Sequence, residues 1–216
     1  MTPRTRESFA TLAILALVAA GGTALAQGAA APPEPPLMNQ TPALAAPRTL
    51  VVTSTAFKAG GPIPLENSGY GASISPPLTI AHAPKRTKAF VVLMEDSDAQ
   101  YQGAPILHWM AYDAPAVLPG GLPAGESLTA PVSLRQGKNI AGQFAYRGPH
   151  PSRTSPGPHH YHLEVFALDA PIGPVSDRAE LAKAMTGHVL AQGELVGAFS
   201  APPAPPSAPP QAPPHG

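Results

Sequence analysis

Residues 148–169 read GPHPSRTSPGPHHYHLEVFALD, a glycine- and proline-rich loop that gives way to His159-His160-Tyr161-His162 and then to an apolar run closed by Asp169. Successive side chains of an extended segment point to opposite faces. His159 and Tyr161 therefore share a face with Leu163 and Val165, while His160, His162 and Glu164 share the other. The apolar partners favour His159 and Tyr161 as the inward pair, which reads as a ligand pocket feeding a sheet. A plainer reading has one face core and the other solvent, with Tyr161 simply packed.

Working outward, a second polar cluster stands upstream. Asp96-Ser97-Asp98 closes the apolar run Ala89–Met94, and His108-Trp109 opens the next run, Leu107–Asp113. An uninterrupted run such as Ala89–Met94 suits a strand covered on both faces. Leu50–Phe57 is rich in β-branched residues, Tyr161–Leu168 continues the quoted stretch, and His188–Phe199 is a last extended segment. Short apolar runs punctuated by Gly, Pro and Asn predict a mainly β, antiparallel domain over residues 48–200. One helix is expected, Ser176–Met185, capped by Ser176 and stopped at Gly187.

The ends differ in composition. Of the 31 prolines, six fall in residues 27–47 and eight in residues 201–216, so both segments are expected to be disordered, proline-rich linker and tail. Arg4 and Arg6, the uncharged run Phe9–Ala20 and Ala24-Leu25-Ala26 follow the order of a secretory signal, with cleavage expected after Ala26. The apolar run is well short of the ~20 residues that span a bilayer. The mature chain is thus expected to be periplasmic or secreted and not an integral membrane protein. With no cysteine, it has neither disulfides nor a thiolate zinc site. Loss of residues 1–26 leaves eleven basic against twelve acidic side chains, no footprint for nucleic acid.

Three arrangements could use the polar clusters. A metal site would draw on His108, His159 and a carboxylate, but the sequence holds no H-E-x-x-H spacing. A hydrolase would need a nucleophile, and no G-x-S-x-G elbow is present, with Ser97 an unsupported candidate. A pocket for a phosphate or carboxylate would use imidazole, phenol and loop amides as donors, with Asp96 and Asp98 orienting the histidines rather than meeting the ligand. Gly148, lacking Cβ, would let loop amides approach an anion.

Taken together, Asn67-Ser68-Gly69-Tyr70-Gly71, Ile74-Ser75-Pro76-Pro77-Leu78, Val91–Asp98, His108-Trp109, Tyr146-Arg147-Gly148-Pro149, His159–Asp169 and the closing Gly187–Phe199 resemble the phosphatidylethanolamine-binding protein family, in its bacterial Raf-kinase-inhibitor-like branch. The resemblance implies a large central antiparallel sheet, a smaller second sheet and short peripheral helices. It also implies a small anion pocket for phosphate-like or phospholipid head groups, formed by Asp96, Asp98, His108, Tyr146, Gly148, His159 and Tyr161, with no cofactor and no metal. Two departures stand out: the family's D-P-D-A-P appears as Asp96-Ser97-Asp98-Ala99-Gln100, and the loop between Gly148 and His159 is longer than usual. The expected function is a non-catalytic exported binding protein for a small anionic group, with a protein partner as a further possibility. Inhibition of an enzyme such as a protease is the alternative.

Overall fold

The computed structural model describes residues 36–205. Nine strands and one α-helix follow in the order β1 Val51–Thr53, β2 Leu78–Ala81, β3 Ala89–Tyr101, β4 Ala104–Ala114, β5 Val117–Leu118, β6 Ser127–Leu128, β7 Leu134–Gln136, β8 His159–Leu168, α1 Arg178–Met185 and β9 Val189–Phe199. They form an antiparallel six-stranded sheet, β6-β7-β4-β3-β8-β9, and a three-stranded sheet, β1-β2-β5. The expected mainly β architecture is the one observed.

The Ala89–Met94 run is continuous because β3 has a hydrophobic core on each face. Val92 and Met94 join Val165, Leu163 and Tyr161 of β8, and residues of the small sheet such as Leu78 and Ile80, in one cluster. Val91 and Leu93 join Met110, Tyr112, Phe166, Leu181 and Met185 in the other. A strand buried on both sides can carry no alternation of polar residues.

Several expected boundaries move. Within Leu50–Phe57 only Val51–Thr53 pairs, because Ser54 Oγ accepts the Ala56 amide at 3.1 Å and turns the chain away. The helix begins at Arg178, not Ser176. Asp177 is its cap, its Oδ1 accepting the amides of Ala179 and Glu180 at 2.9 Å each, and a carboxylate at that end also meets the helix dipole favourably.

The expected disordered linker of residues 27–47 is corrected from residue 36 onward, residues 27–35 lying outside the described region along with the expected signal segment. Met38–Gln40 and Pro42–Leu44 are short 3-10 turns, and Met38 and Leu44 are buried in the second core. The Met38 amide donates to Glu95 Oε2 and the Asn39 amide to Glu164 Oε1, both at 2.9 Å, while Asn39 Nδ2 donates to Glu194 Oε1 at 3.0 Å. Arg178 closes this strap by donating to Glu95 and to the Pro36 carbonyl. The prolines here shape turns that bring two apolar anchors onto the sheet, so composition alone misleads. At the other end, residues 201–205 have no regular structure, Arg153 Nε donates to the Pro202 carbonyl at 3.0 Å, and the rest of the expected tail lies outside the described residues.

Candidate functional site

Two irregularities in the central strands build the site. Met94 pairs with Trp109 and Glu95 with Leu107, so His108 is the extra residue of a bulge in β4. On β3 the pairing with β4 jumps from Asp96↔Ile106 to Gln100↔Pro105, which leaves Ser97, Asp98 and Ala99 out of register. Bulges re-aim side chains and are common beside functional sites. Here they leave Asp96 opposite Tyr161 of β8 and release Asp98 from the same face.

A cavity of about 350 Å³ opens at this end of the sheet, with Asp96, His108, His159, Arg147, His150 and Ser155 in its wall. Asp96 is almost wholly buried, and its Oδ2 accepts the His159 Nδ1–H at 2.8 Å while its Oδ1 accepts the Asp98 amide at 2.9 Å. A carboxylate can only accept, so His159 Nδ1 carries a proton and Nε2 is presented to Ser155 Oγ, 3.1 Å away. This is the orienting role expected of a carboxylate, filled by Asp96 alone.

His108 behaves differently. Its Nδ1 lies 2.9 Å from the Arg147 carbonyl and must donate to it. Burial pushes the His108 pKa below its ordinary value, partly offset by the Arg147 carbonyl and by Asp96. The neutral ring therefore leaves Nε2 as an acceptor, contrary to the expectation that the pocket histidines donate to an anion. Tyr161 packs its ring edge-on against His108, with centroids 5.2 Å apart. Its buried hydroxyl meets no hydrogen-bond partner among the described residues. Burial and the Asp96 carboxylate push the phenol pKa up, so it stays a neutral donor.

Tyr161 packs behind His108 and is not among the residues lining the cavity, and three further expected pocket residues serve elsewhere. Asp98 accepts the His160 amide at 2.6 Å and the His160 Nδ1–H at 2.9 Å, on a separate shallow opening beside Pro156–His159. Although partial burial raises its pKa, those two His160 bonds bring it below the ordinary value. Tyr146 is buried edge-on against Trp109 and donates its hydroxyl to the Asn67 carbonyl at 2.7 Å. Gly148 does not offer its amide to the cavity, because that N–H donates to Ser73 Oγ at 2.8 Å. Its missing side chain is needed for packing: a Cβ would stand 2.5 Å from the Asn67 oxygen and 2.7 Å from the Gly69 nitrogen.

Sequence reasoning missed the far wall. His150 stacks on Tyr70 with ring centroids 4.1 Å apart, Arg153 lies over the same Tyr70 ring, and the Tyr70 hydroxyl donates to the Pro151 carbonyl at 2.7 Å. These contacts hold the long Gly148–Pro158 loop against the cavity and present Ser152 and Ser155 to it. The length of that loop was the only sequence signal. Among the described residues no group of three or more His, Asp or Glu is placed to hold a metal ion.

A family model described as phosphatidylethanolamine-binding protein matches residues 53–200. The UPF0098 protein PH1269 of Pyrococcus horikoshii is 39% identical over 141 residues, covering 63% of this chain and 70% of its own. A UPF0098 protein of Chlamydia trachomatis is 33% identical over 153 residues, 68% of this chain and 97% of its own. Among solved structures, the phosphatidylethanolamine-binding protein homolog CT736 of Chlamydia trachomatis superposes with a TM-score of 0.62 at 29% identity, covering 72% of this chain and 99% of that one. Escherichia coli YbcL, described as a member of the mammalian family, gives 0.64 at 26% identity, with 71% and 99% covered.

Proposed function

The chain belongs to the phosphatidylethanolamine-binding protein family, and we propose that its cavity binds a small phosphate-bearing group, free or displayed as a lipid head group, in an exported protein. The observation that carries this reading is the convergence of Arg147, His150 and His159 on one cavity whose only carboxylate, Asp96, is already engaged by His159 and the Asp98 amide. Asp96 then repels an anion less than a free carboxylate would, and Arg147 supplies a permanent positive charge. The neutral His108 Nε2 favours a ligand that offers it a proton, such as a hydrogenphosphate P–OH or the ammonium of phosphoethanolamine. Binding of this kind needs no bond to be made or broken.

Titration of mature residues 27–216 with phosphate and phosphoethanolamine, followed by histidine NMR signals from pH 5 to 8, tests the proposal. Saturable shifts of His108 and His159 in the wild type, with calorimetric binding that is lost in the His108→Ala/His159→Ala double variant, are the expected result. Unmoved signals in the wild type would sink it. The alternative, inhibition of an enzyme through the protein surface, would survive in that double variant, and a protease panel separates the two.

A further inference from the structure

In the cavity wall three side chains stand in sequence: Ser155 Oγ is 3.1 Å from His159 Nε2, and His159 Nδ1 is 2.8 Å from Asp96 Oδ2. The order of groups is that of a nucleophile, a general base and an orienting carboxylate. Asp96 is buried and fixes the His159 tautomer, so in the neutral ring the Nε2 lone pair faces the Ser155 hydroxyl and can take its proton. We propose that Ser155 is an activated nucleophile that accepts an acyl group from a small anionic ester bound in the cavity. No sequence motif announces it, because Ser155 sits on a loop four residues before His159 rather than in a G-x-S-x-G turn.

The step is a simple acyl transfer. Ser155 Oγ attacks the ester carbonyl carbon as its proton passes to His159 Nε2. The bond from that carbon to the leaving oxygen breaks, and the leaving group takes the proton from His159, which leaves an ester on Ser155. A water molecule, deprotonated by the same imidazole, then attacks that ester and releases a carboxylic acid and free Ser155. Arg147 and His150 line the same cavity, which favours a negative charge on the acyl part. Only this preference rests on the anion-binding reading above; the relay itself does not.

The protein carries an internal control. Ser97 Oγ lies 3.0 Å from His162 Nε2, and His162 Nδ1 lies 2.8 Å from Glu194 Oε1, a second relay of the same chemistry on the other face of the sheet. Ser97 does not line the cavity. If a relay alone made a serine reactive, both would react; if a cavity is also needed to hold the ester, Ser155 alone would.

The test is reaction of the full mature chain with the mono-4-nitrophenyl ester of terephthalic acid, whose carboxylate cannot reach its own ester carbonyl, followed by nitrophenolate release and by peptide mass mapping of the acylated residue. A burst stoichiometric with protein is expected, with the adduct on Ser155, reduced at least ten-fold in Ser155→Ala and in His159→Gln and unchanged in Ser97→Ala. Thermal unfolding of each variant confirms that the fold is kept. No adduct on Ser155 in wild-type protein that binds phosphate overturns this inference and leaves the binding reading intact. An adduct on Ser155 without phosphate binding does the reverse. An adduct on Ser97, or one that persists in His159→Gln, also overturns it.

Discussion

Glu164 Oε1 accepts the Asn39 amide at 2.9 Å beneath the N-terminal strap, while its Oε2 is buried without a partner among the described residues. Burial, and then the charge of neighbouring Glu95, push the Glu164 pKa well above its ordinary value. A carboxyl whose folded pKa is raised stabilises the fold below its unfolded pKa, near 4.5, and loses that contribution as pH rises through the folded value.

Glu164→Gln keeps an acceptor for the Asn39 amide and removes the titration. It is expected to raise the melting temperature at neutral pH and to flatten the decline in stability above pH ~4.5 that the wild type shows. Thermal unfolding across pH checks this; an unchanged profile would mean that Glu164 is as well solvated folded as unfolded.

His108 carries the opposite sign. Its folded pKa lies below the ordinary 6.5, so its contribution is complete above that value and is lost as pH falls through the lower folded one. Nitrogen-15 NMR should find a neutral ring with the proton on Nδ1 persisting below pH ~6.5. A ring already half or more doubly protonated at pH 6.5 would contradict the assignment.

Gly148→Ala forces a Cβ into backbone atoms of Asn67, Ser68 and Gly69, none of which can swing away as a flexible side chain could. The expected cost is about 1–3 kcal/mol, as for other overpacked sites. Urea denaturation gives the figure. Because the Arg147 carbonyl that holds His108 is the adjacent residue, the His108 signals should shift as well.

Met38→Ala empties a fully buried site in the second core. A loss of about 2–5 kcal/mol is expected. The same substitution on a disordered linker would cost nothing measurable, so this variant decides whether the strap belongs to the folded unit.

The strands were legible because β-branched and aromatic runs between Gly and Pro leave few alternatives, and the unbroken run Ala89–Met94 signalled two cores. His159 and Tyr161 were legible from alternation, since Leu163 and Val165 settle which face is inward. Asp98 and Gly148 were misplaced for local reasons. The register jump after Asp96 cannot be counted from residue types, and the Gly148 amide is taken by Ser73, whose left-handed backbone (φ 53°) leaves no mark in the sequence. The strap was missed because proline content cannot distinguish a solvated chain from one turned onto a surface by two apolar anchors. Arg147, His150 and Ser155 came together through loop packing on Tyr70, a contact between segments about 80 residues apart.

The strap also sets an order of events. Met38 and Asn39 are made early, yet Glu164, Arg178 and Glu194, which hold them, are made late, and Asn39 is 155 residues from Glu194. Docking across such separations is slow, because the long intervening chain must be organised first. The outer core around Met38 therefore stays open until β9 has been delivered.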